Sequence, residues 1–162
     1  MIRTIFAAAV ALLLAACQSL PSPPPPSGFN AAQTAMLQSQ GFVETELGWE
    51  LALLDRLLFP SSESAIRPDQ ATRLMGLARN LLSAGIDGAR VEGHADSTGS
   101  AAANLALSQA RAQTVAEALQ AGGLRFAPGQ IVGRGETMPL SDNAAPEGRQ
   151  DSRRVVLVVA PP

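Results

Sequence analysis

Asp96, Asn104 and Arg111 stand out for their chemistry and spacing in this 162-residue chain. They lie in Val91–Arg111, which reads VEGHADSTGSAAANLALSQAR: a short strand, a Gly- and Ser-rich turn, then a helix. Asp96 falls at the strand's end. Asn104 and Arg111 are seven residues apart, two turns on one helix face and about 10 Å along the axis at about 1.5 Å per residue. A carboxylate, an amide and a guanidinium therefore converge on one mouth. Opposite fixed charges of this kind suit a small zwitterion that carries both an ammonium and a carboxylate. The competing reading is a hydrolase cluster of His94, Asp96 and Ser97, and the spacing argues against it. In a strand His94 and Asp96 share a face while Ser97 points away, and no strained nucleophile elbow is present. His94 is the only histidine, so no second imidazole can join it on a metal. No catalytic residue, metal or cofactor is expected.

The elements that must hold these residues can be read from periodicity and punctuation. Asn30 caps a helix that runs to Gln40, with Met36 and Leu37 as apolar contacts, and Gly41 can stop it. Gly41–Phe59 reads as two strands around a hairpin turn at Gly48, although LALLDRLL taken alone could be a helix; the resemblance given below is what favours strand there. Pro68 or Asp69 opens a helix with Leu74, Leu77, Leu81 and Leu82 at helical spacing up to Gly85. Arg90–Ala95 is a core strand. Ser100–Ala121 is the longest helix, with Leu105, Ala112, Val115 and Leu119 as its buried stripe, and Gly122-Gly123 ends it. Gln130–Gly133 is a further strand and Met138–Ser152 is loop-rich. Arg154–Ala160 is a last strand, apolar enough to be covered on both sides. The alternation gives an α/β chain of the α+β sandwich kind, one sheet with helices packed on it.

These residues also carry a resemblance. GHAD followed by Asn104-x-x-Leu107-Ser108-x-x-Arg111-Ala112 resembles the signature of the OmpA-like peptidoglycan-binding domain. Gly133-Arg134-Gly135-Glu136 with Pro139, and Glu147-Gly148-Arg149 with Ser152-Arg153-Arg154-Val155, resemble two further motifs of that family. The likeness spans roughly Trp49 to Val159, within a domain placed at residues 49–160. It implies one mixed sheet of about four strands packed against two to three helices. It also implies a non-catalytic grip on the diaminopimelate stem peptide of peptidoglycan. Asp96 would take the ammonium and Arg111 the carboxylate, with Asn104 as supporting amide and Arg153 as the first of the paired arginines reaching the pocket. For Arg149 and Arg154 a solvated place at the strand's entrance is expected, rather than pairing with Asp142, Glu147 or Asp151. Two positions depart from the family: Ala95 stands where Thr is usual, and Ser152 where Asn is usual.

Before the domain come three segments. Residues 1–16 have one basic residue, Arg3, and an apolar run from Ile5 to Ala16, too short for a comfortable membrane span but suited to a signal-peptide core. The run ends Leu14-Ala15-Ala16-Cys17, which resembles a bacterial lipobox. Cys17, the only cysteine, is therefore expected to carry lipid rather than enter a disulfide. Gln18 in place of Asp points by analogy to the outer membrane, with the domain facing the periplasm. Residues 17–28 contain PSPPPPSG, an extended tether. At about 3.1 Å per residue, Gln18–Gly28 spans at most roughly 34 Å. Residues 29–48 form an N-terminal arm. Together with Trp49–Phe59 the arm resembles that of YfiB-type lipoproteins. This resemblance implies a small periplasmic repressor as partner and release of an inner-membrane diguanylate cyclase, with Leu37, Phe42 and Trp49 as partner-linked positions.

Charge excludes other classes. The chain holds 12 Arg, no Lys and 14 acidic residues, a formal charge of −2. Loss of Arg3 with a leader takes it to about −3. No basic excess and no aromatic-studded basic run are present, so nucleic acid is not an expected partner.

Overall fold

A computed structural model of the chain describes residues 28–60 and 63–161. The expected leader, Cys17 and nearly all of the proline tether fall outside them. The first element, α1 (Ala31–Ser39), is held by a capping box. Asn30 Oδ1 accepts from the Gln33 backbone N–H at 2.9 Å, and Gln33 Oε1 accepts from the Asn30 N–H at 3.0 Å. Gly41, at φ +86°, turns the chain toward β1 (Val43–Thr45), which pairs antiparallel with β2 (Gly48–Leu54). The expectation of strand up to Phe59 is corrected here, because α2 (Asp55–Leu58) follows β2 directly. The cause is the sheet's extent. Leu54 pairs with Arg154, the first residue of the neighbouring strand, and beyond it only one bond follows, from the Asp55 N–H to the Arg153 carbonyl at 3.1 Å. The chain therefore coils, burying Leu58 and Phe59 and leaving Leu57 exposed.

Then come α3 (Pro68–Ser83), β3 (Arg90–His94), α4 (Ala101–Ala121), β4 (Ile131–Gly133), α5 (Pro146–Ser152) and β5 (Arg154–Val159). Helix α5 lies in the segment expected to be loop. Pro146 opens it with a pre-set φ and Glu147 favours its first turn, but seven residues are too few to show a period. The sheet is mixed, with order β1-β2-β5-β3-β4. It has five strands where about four were expected; β1, whose three residues are all exposed, has no apolar pattern to announce it. β5 runs antiparallel to both β2 and β3, while β3 and β4 are parallel. Its central place explains a run that is buried at every position.

Helices α3 and α4 cover one face. Val91, Val155, Leu157 and Val159 form a single core with Leu74, Ala78, Leu81, Ala112, Val115 and Leu119. Glycine lets α4 lie directly on the strands. A Cβ on Gly93 would stand 2.0 Å from the Ser108 carbonyl oxygen, and one on Gly133 2.6 Å from the Gln109 nitrogen. Leu105 corrects the expected stripe, being 52% exposed. At that end of α4 the opposing residues are Gly133 and Gly135, which offer backbone and no side chain to cover it.

Candidate functional site

The close seat of α4 brings its polar residues to the C-terminal end of β3. Ser100 caps the helix by accepting from the Ala103 N–H at 3.2 Å, which fixes Asn104 one turn in. The buried Asn104 amide donates to the Asp96 carbonyl at 3.0 Å and to Glu136 Oε2 at 2.6 Å. Ser108 accepts from the Gly135 N–H at 2.9 Å and donates to the Leu105 carbonyl. The GRGE turn is thereby tied to the helix, and Gly135 sits there at φ +55°.

Asp96 leaves the strand in a tight turn, with Oδ1 accepting from the Thr98 N–H at 2.8 Å. Its Oδ2 lies 2.5 Å from Arg153 Nη1. Burial works against the Asp96 charge, but the Thr98 backbone bond and Arg153 outweigh it and hold the carboxyl below its ordinary range. Asp96 and Arg111 do not pair with each other. Arg111 instead stands 2.8 Å, through Nη1, from Asp55 Oδ1, an ion pair whose angles fall short of a directed hydrogen bond. Its Nε donates to the Glu63 carbonyl at 3.1 Å, and the guanidinium lies 5.2 Å above the Phe59 ring centre. Arg153 Nε is 4.0 Å from the other oxygen of Asp55. The cluster is thus two carboxylates and two guanidiniums in alternation, with Asn104 alongside.

All four expected pocket residues are brought to one place. Asp55 was missed. Its signal was a lone acid in the apolar run LALLDRLLF, which reads as a solvated strand position until the chain is seen to coil there. Burial pushes its carboxyl above the ordinary range, against the pull of Arg111 and Arg153. Arg149 and Arg154, expected to be solvated, are instead bound to the backbone, and Arg154 is buried. Arg149 donates to the carbonyls of Asn143 and Ala144, and Arg154 to those of Ser152 and Met138. Both brace the backbone that presents Arg153, because loop carbonyls lie nearer than any of the three acids. At the departing positions Ala95 is buried, and the buried Ser152 hydroxyl has no hydrogen-bond partner among the described residues. Leu37, Phe42 and Trp49 are all buried in the main core, so in this conformation they anchor the arm. Two clefts of about 320 and 300 Å³ lie elsewhere, one beside Phe29 and Arg90 and one beside Leu53 and Leu77.

His94 sits opposite Arg154 in the ladder, on the sheet face away from α4. Its Nε2 is 3.8 Å from Glu92, which is itself paired with Arg90 and Arg134, and its Nδ1 has no partner among the described residues. Burial, then Arg154, lowers its pKa from 6.5 to about 4. A folded histidine that binds its proton less readily than the unfolded one makes stability fall as pH drops through that window. The loss should reach about 3 kcal/mol and flatten below the folded pKa. Asp55, whose carboxyl is raised by burial, gains stability as pH falls and opposes this slope, while the lowered carboxylates begin to lose theirs toward pH 4.5. The contribution of His94 is therefore the difference between thermal melts of wild type and His94→Gln over pH 6.5 to 4.5; identical slopes would assign the dependence elsewhere. Among the described residues no group of three or more His, Cys, Asp or Glu is placed to hold a metal.

Residues 58–153 match the OmpA family. The chain is 38% identical over 146 residues to the outer-membrane lipoprotein YfiB of Pseudomonas aeruginosa, covering 90% of this chain and 85% of that one. Among solved structures, the cell wall anchor of the type VI secretion system (T6SS) from P. aeruginosa superposes with a TM-score of 0.59 at 30% identity, covering 78% of this chain and 93% of that one. The peptidoglycan-associated lipoprotein from Burkholderia pseudomallei does so with a TM-score of 0.53 at 26% identity, covering 63% and 86%. The likeness to YfiB runs well beyond the matched family segment and takes in the N-terminal arm.

Proposed function

Because this chain belongs to the OmpA family and is a YfiB-type lipoprotein by its likeness, we propose that it is an outer-membrane lipoprotein whose periplasmic domain holds peptidoglycan without catalysis. The observation that carries this reading is the alternating cluster of Asp96, Arg153, Asp55 and Arg111 at the end of β3. It can offer a carboxylate to an ammonium, and guanidinium N–H groups to a carboxylate, a few ångströms apart. The distal end of diaminopimelate in a stem peptide carries both groups on one carbon. Asp96 then takes the ammonium, the Arg111 and Arg153 side takes the carboxylate, and Asn104 fixes the Asp96 backbone. Relatives named as a cell wall anchor and a peptidoglycan-associated lipoprotein support the assignment. Sedimentation with purified sacculi tests it; recovery of the protein wholly in the supernatant would refute it.

Anchorage by lipid at Cys17 belongs to the same reading. Cys17→Ser should leave the protein uncleaved or soluble and remove it from the outer-membrane fraction. If that variant still fractionates with the outer membrane, lipid at Cys17 is not the anchor.

A second role is favoured by one observation, the extension of the YfiB likeness through the arm. We propose that the arm is a releasable element that lets this protein sequester a small periplasmic repressor of an inner-membrane diguanylate cyclase. The docked arm rests on Phe29, Leu37 and Phe42 in the core, with one long-range tie from Gln33 Nε2 to the Ala84 carbonyl at 3.0 Å. Each such side chain contributes about 1.5–3 kcal/mol on burial, against the entropy of ordering the arm. A partner that prefers the undocked arm can therefore shift the balance.

A further inference from the structure

The sheet has two edges, and they are finished differently. On one side β1 is exposed along its length, with Glu44 inside it and Glu46 just after it. Charges there discourage a further strand. On the other side β4 reads Ile131-Val132-Gly133 and has no charge of its own. Its backbone groups alternate in direction. The Gln130 carbonyl accepts from the Val91 N–H, and the Arg134 N–H donates to the Gly93 carbonyl, so residues 130, 132 and 134 face β3. Ile131 and Gly133 therefore turn their N–H and C=O groups outward, as a strand in mid-sheet does toward its next neighbour.

One side chain stands in that neighbour's place. The Gln109 amide reaches over from α4. It donates through Nε2 to the Ile131 carbonyl at 3.3 Å and accepts through Oε1 from the Gly133 N–H at 2.6 Å. These are the two groups that a single residue of a parallel sixth strand would take, and a primary amide offers the matching donor and acceptor. The next outward N–H, that of Gly135, is taken by Ser108 Oγ at 2.9 Å. The seat of α4 on Gly133 makes the reach possible: a Cβ there would stand 2.8 Å from the Gln109 Cα.

We propose that Gln109 closes the β4 edge and so keeps a second copy of this chain from pairing there. The edge is self-complementary. Turned about a two-fold axis at Val132, Ile131 of one copy stands opposite Gly133 of the other. Both groups of each then bond both groups of its opposite, and the two sheets become one. Leu105 adds an apolar reason to associate. It lies one turn before Gln109 on the same face of α4, is 52% exposed, and would be covered by a strand laid along β4. Gln109 removes the opportunity by taking one outward acceptor and one outward donor at once. A chain tethered to a membrane, as proposed above, meets its own copies at high local concentration, where an open edge pairs most readily.

The full chain purified in detergent tests this, by sedimentation equilibrium and by hydrogen exchange at the Gly133 amide followed by NMR. In wild type Gly133 should be protected to the same degree at every protein concentration. Gln109→Ala removes both bonds and keeps a strong helix former in α4. At low concentration its Gly133 amide should exchange about tenfold faster, the worth of one hydrogen bond. As the variant is concentrated it should dimerise, and protection of Gly133 should return as the second copy takes the bond. Gln109→Met keeps the length of the side chain without its donor or acceptor and should behave alike; it decides the matter should Gln109→Ala not fold. Folded variants that associate no more than wild type would overturn the inference. So would a new dimer in which Gly133 stays open, since the copies would then meet elsewhere. Protection of Gly133 in wild type that rises with concentration would overturn it too, because the edge would then be open already.

Discussion

Asp96→Asn should weaken sedimentation with sacculi by about ten- to a hundredfold, the loss of one charge-assisted hydrogen bond worth roughly 1.5–3 kcal/mol. Asparagine keeps an oxygen for the Thr98 N–H and leaves the Asp96 backbone carbonyl to Asn104, so the turn should survive. What it removes is the negative charge that Arg153 covers in the free protein and that an ammonium would take in the complex. The melting temperature should move little compared with the affinity. Asp96→Ala should show the same loss of binding with a larger thermal cost, since the turn's acceptor goes too. Arg111→Ala is the poorer probe. It leaves Asp55 ionised and half-buried beside a vacant guanidinium site, and breaking a buried pair from one side costs about 3–5 kcal/mol. Any loss of binding there would be entangled with loss of fold. Wild-type sedimentation by a folded Asp96→Asn would remove Asp96 from the ligand grip.

Leu37→Pro should free the arm. Leu37 lies in the second turn of α1 with its side chain fully buried, and its carbonyl accepts from the N–H groups of Gln40 and Phe42. Proline there removes a helix donor and clashes with the preceding turn, at about 3 kcal/mol or more. Loss of the leucine side chain from the core adds about 2–5 kcal/mol. Trp49, the chain's one tryptophan, is buried in the same core and provides the signal. Its emission should shift to the red as the arm leaves, and capture of the repressor proposed above should rise. Sacculus binding should stay at the wild-type level, because none of the Asp96, Asp55, Arg111 and Arg153 contacts involves α1. Unchanged emission together with unchanged capture would leave a plain anchor as the role of this protein.

Much of the fold was legible in the residues because it follows from local rules. Asn30 three residues before Gln33, Pro68 before Asp69, and Gly122-Gly123 after a long apolar stripe mark helix ends by satisfying or removing backbone groups. The run of five apolar residues after Arg154 in β5 marked a strand covered on both faces. What escaped was short or conditional on neighbours. β1 has three exposed residues, α5 has seven, and α2 exists because the sheet stops at Leu54. Leu105 obeys the period of its helix and is exposed all the same, since periodicity fixes a face but not what the face meets.

The convergence of Asp96, Asn104 and Arg111 was readable because they lie within one strand-turn-helix stretch, whereas Arg153, at the end of α5 just before β5, was pointed to only by the resemblance. Chain geometry places the first three once the elements are known. Which charge faces which was decided by the tertiary structure. The sequence brings Asp96 and Arg111 to one mouth without saying what each faces, and folding gives Arg111 to Asp55 and Asp96 to Arg153. Asp55 opens α2, 56 residues before Arg111, and its approach depends on the end of β2, the seat of α4 on glycine and the ring of Phe59 under the guanidinium. Ion pairing is a contest among all charges within a few ångströms. Spacing along the chain sets who can attend, and only the packed structure sets who is nearest.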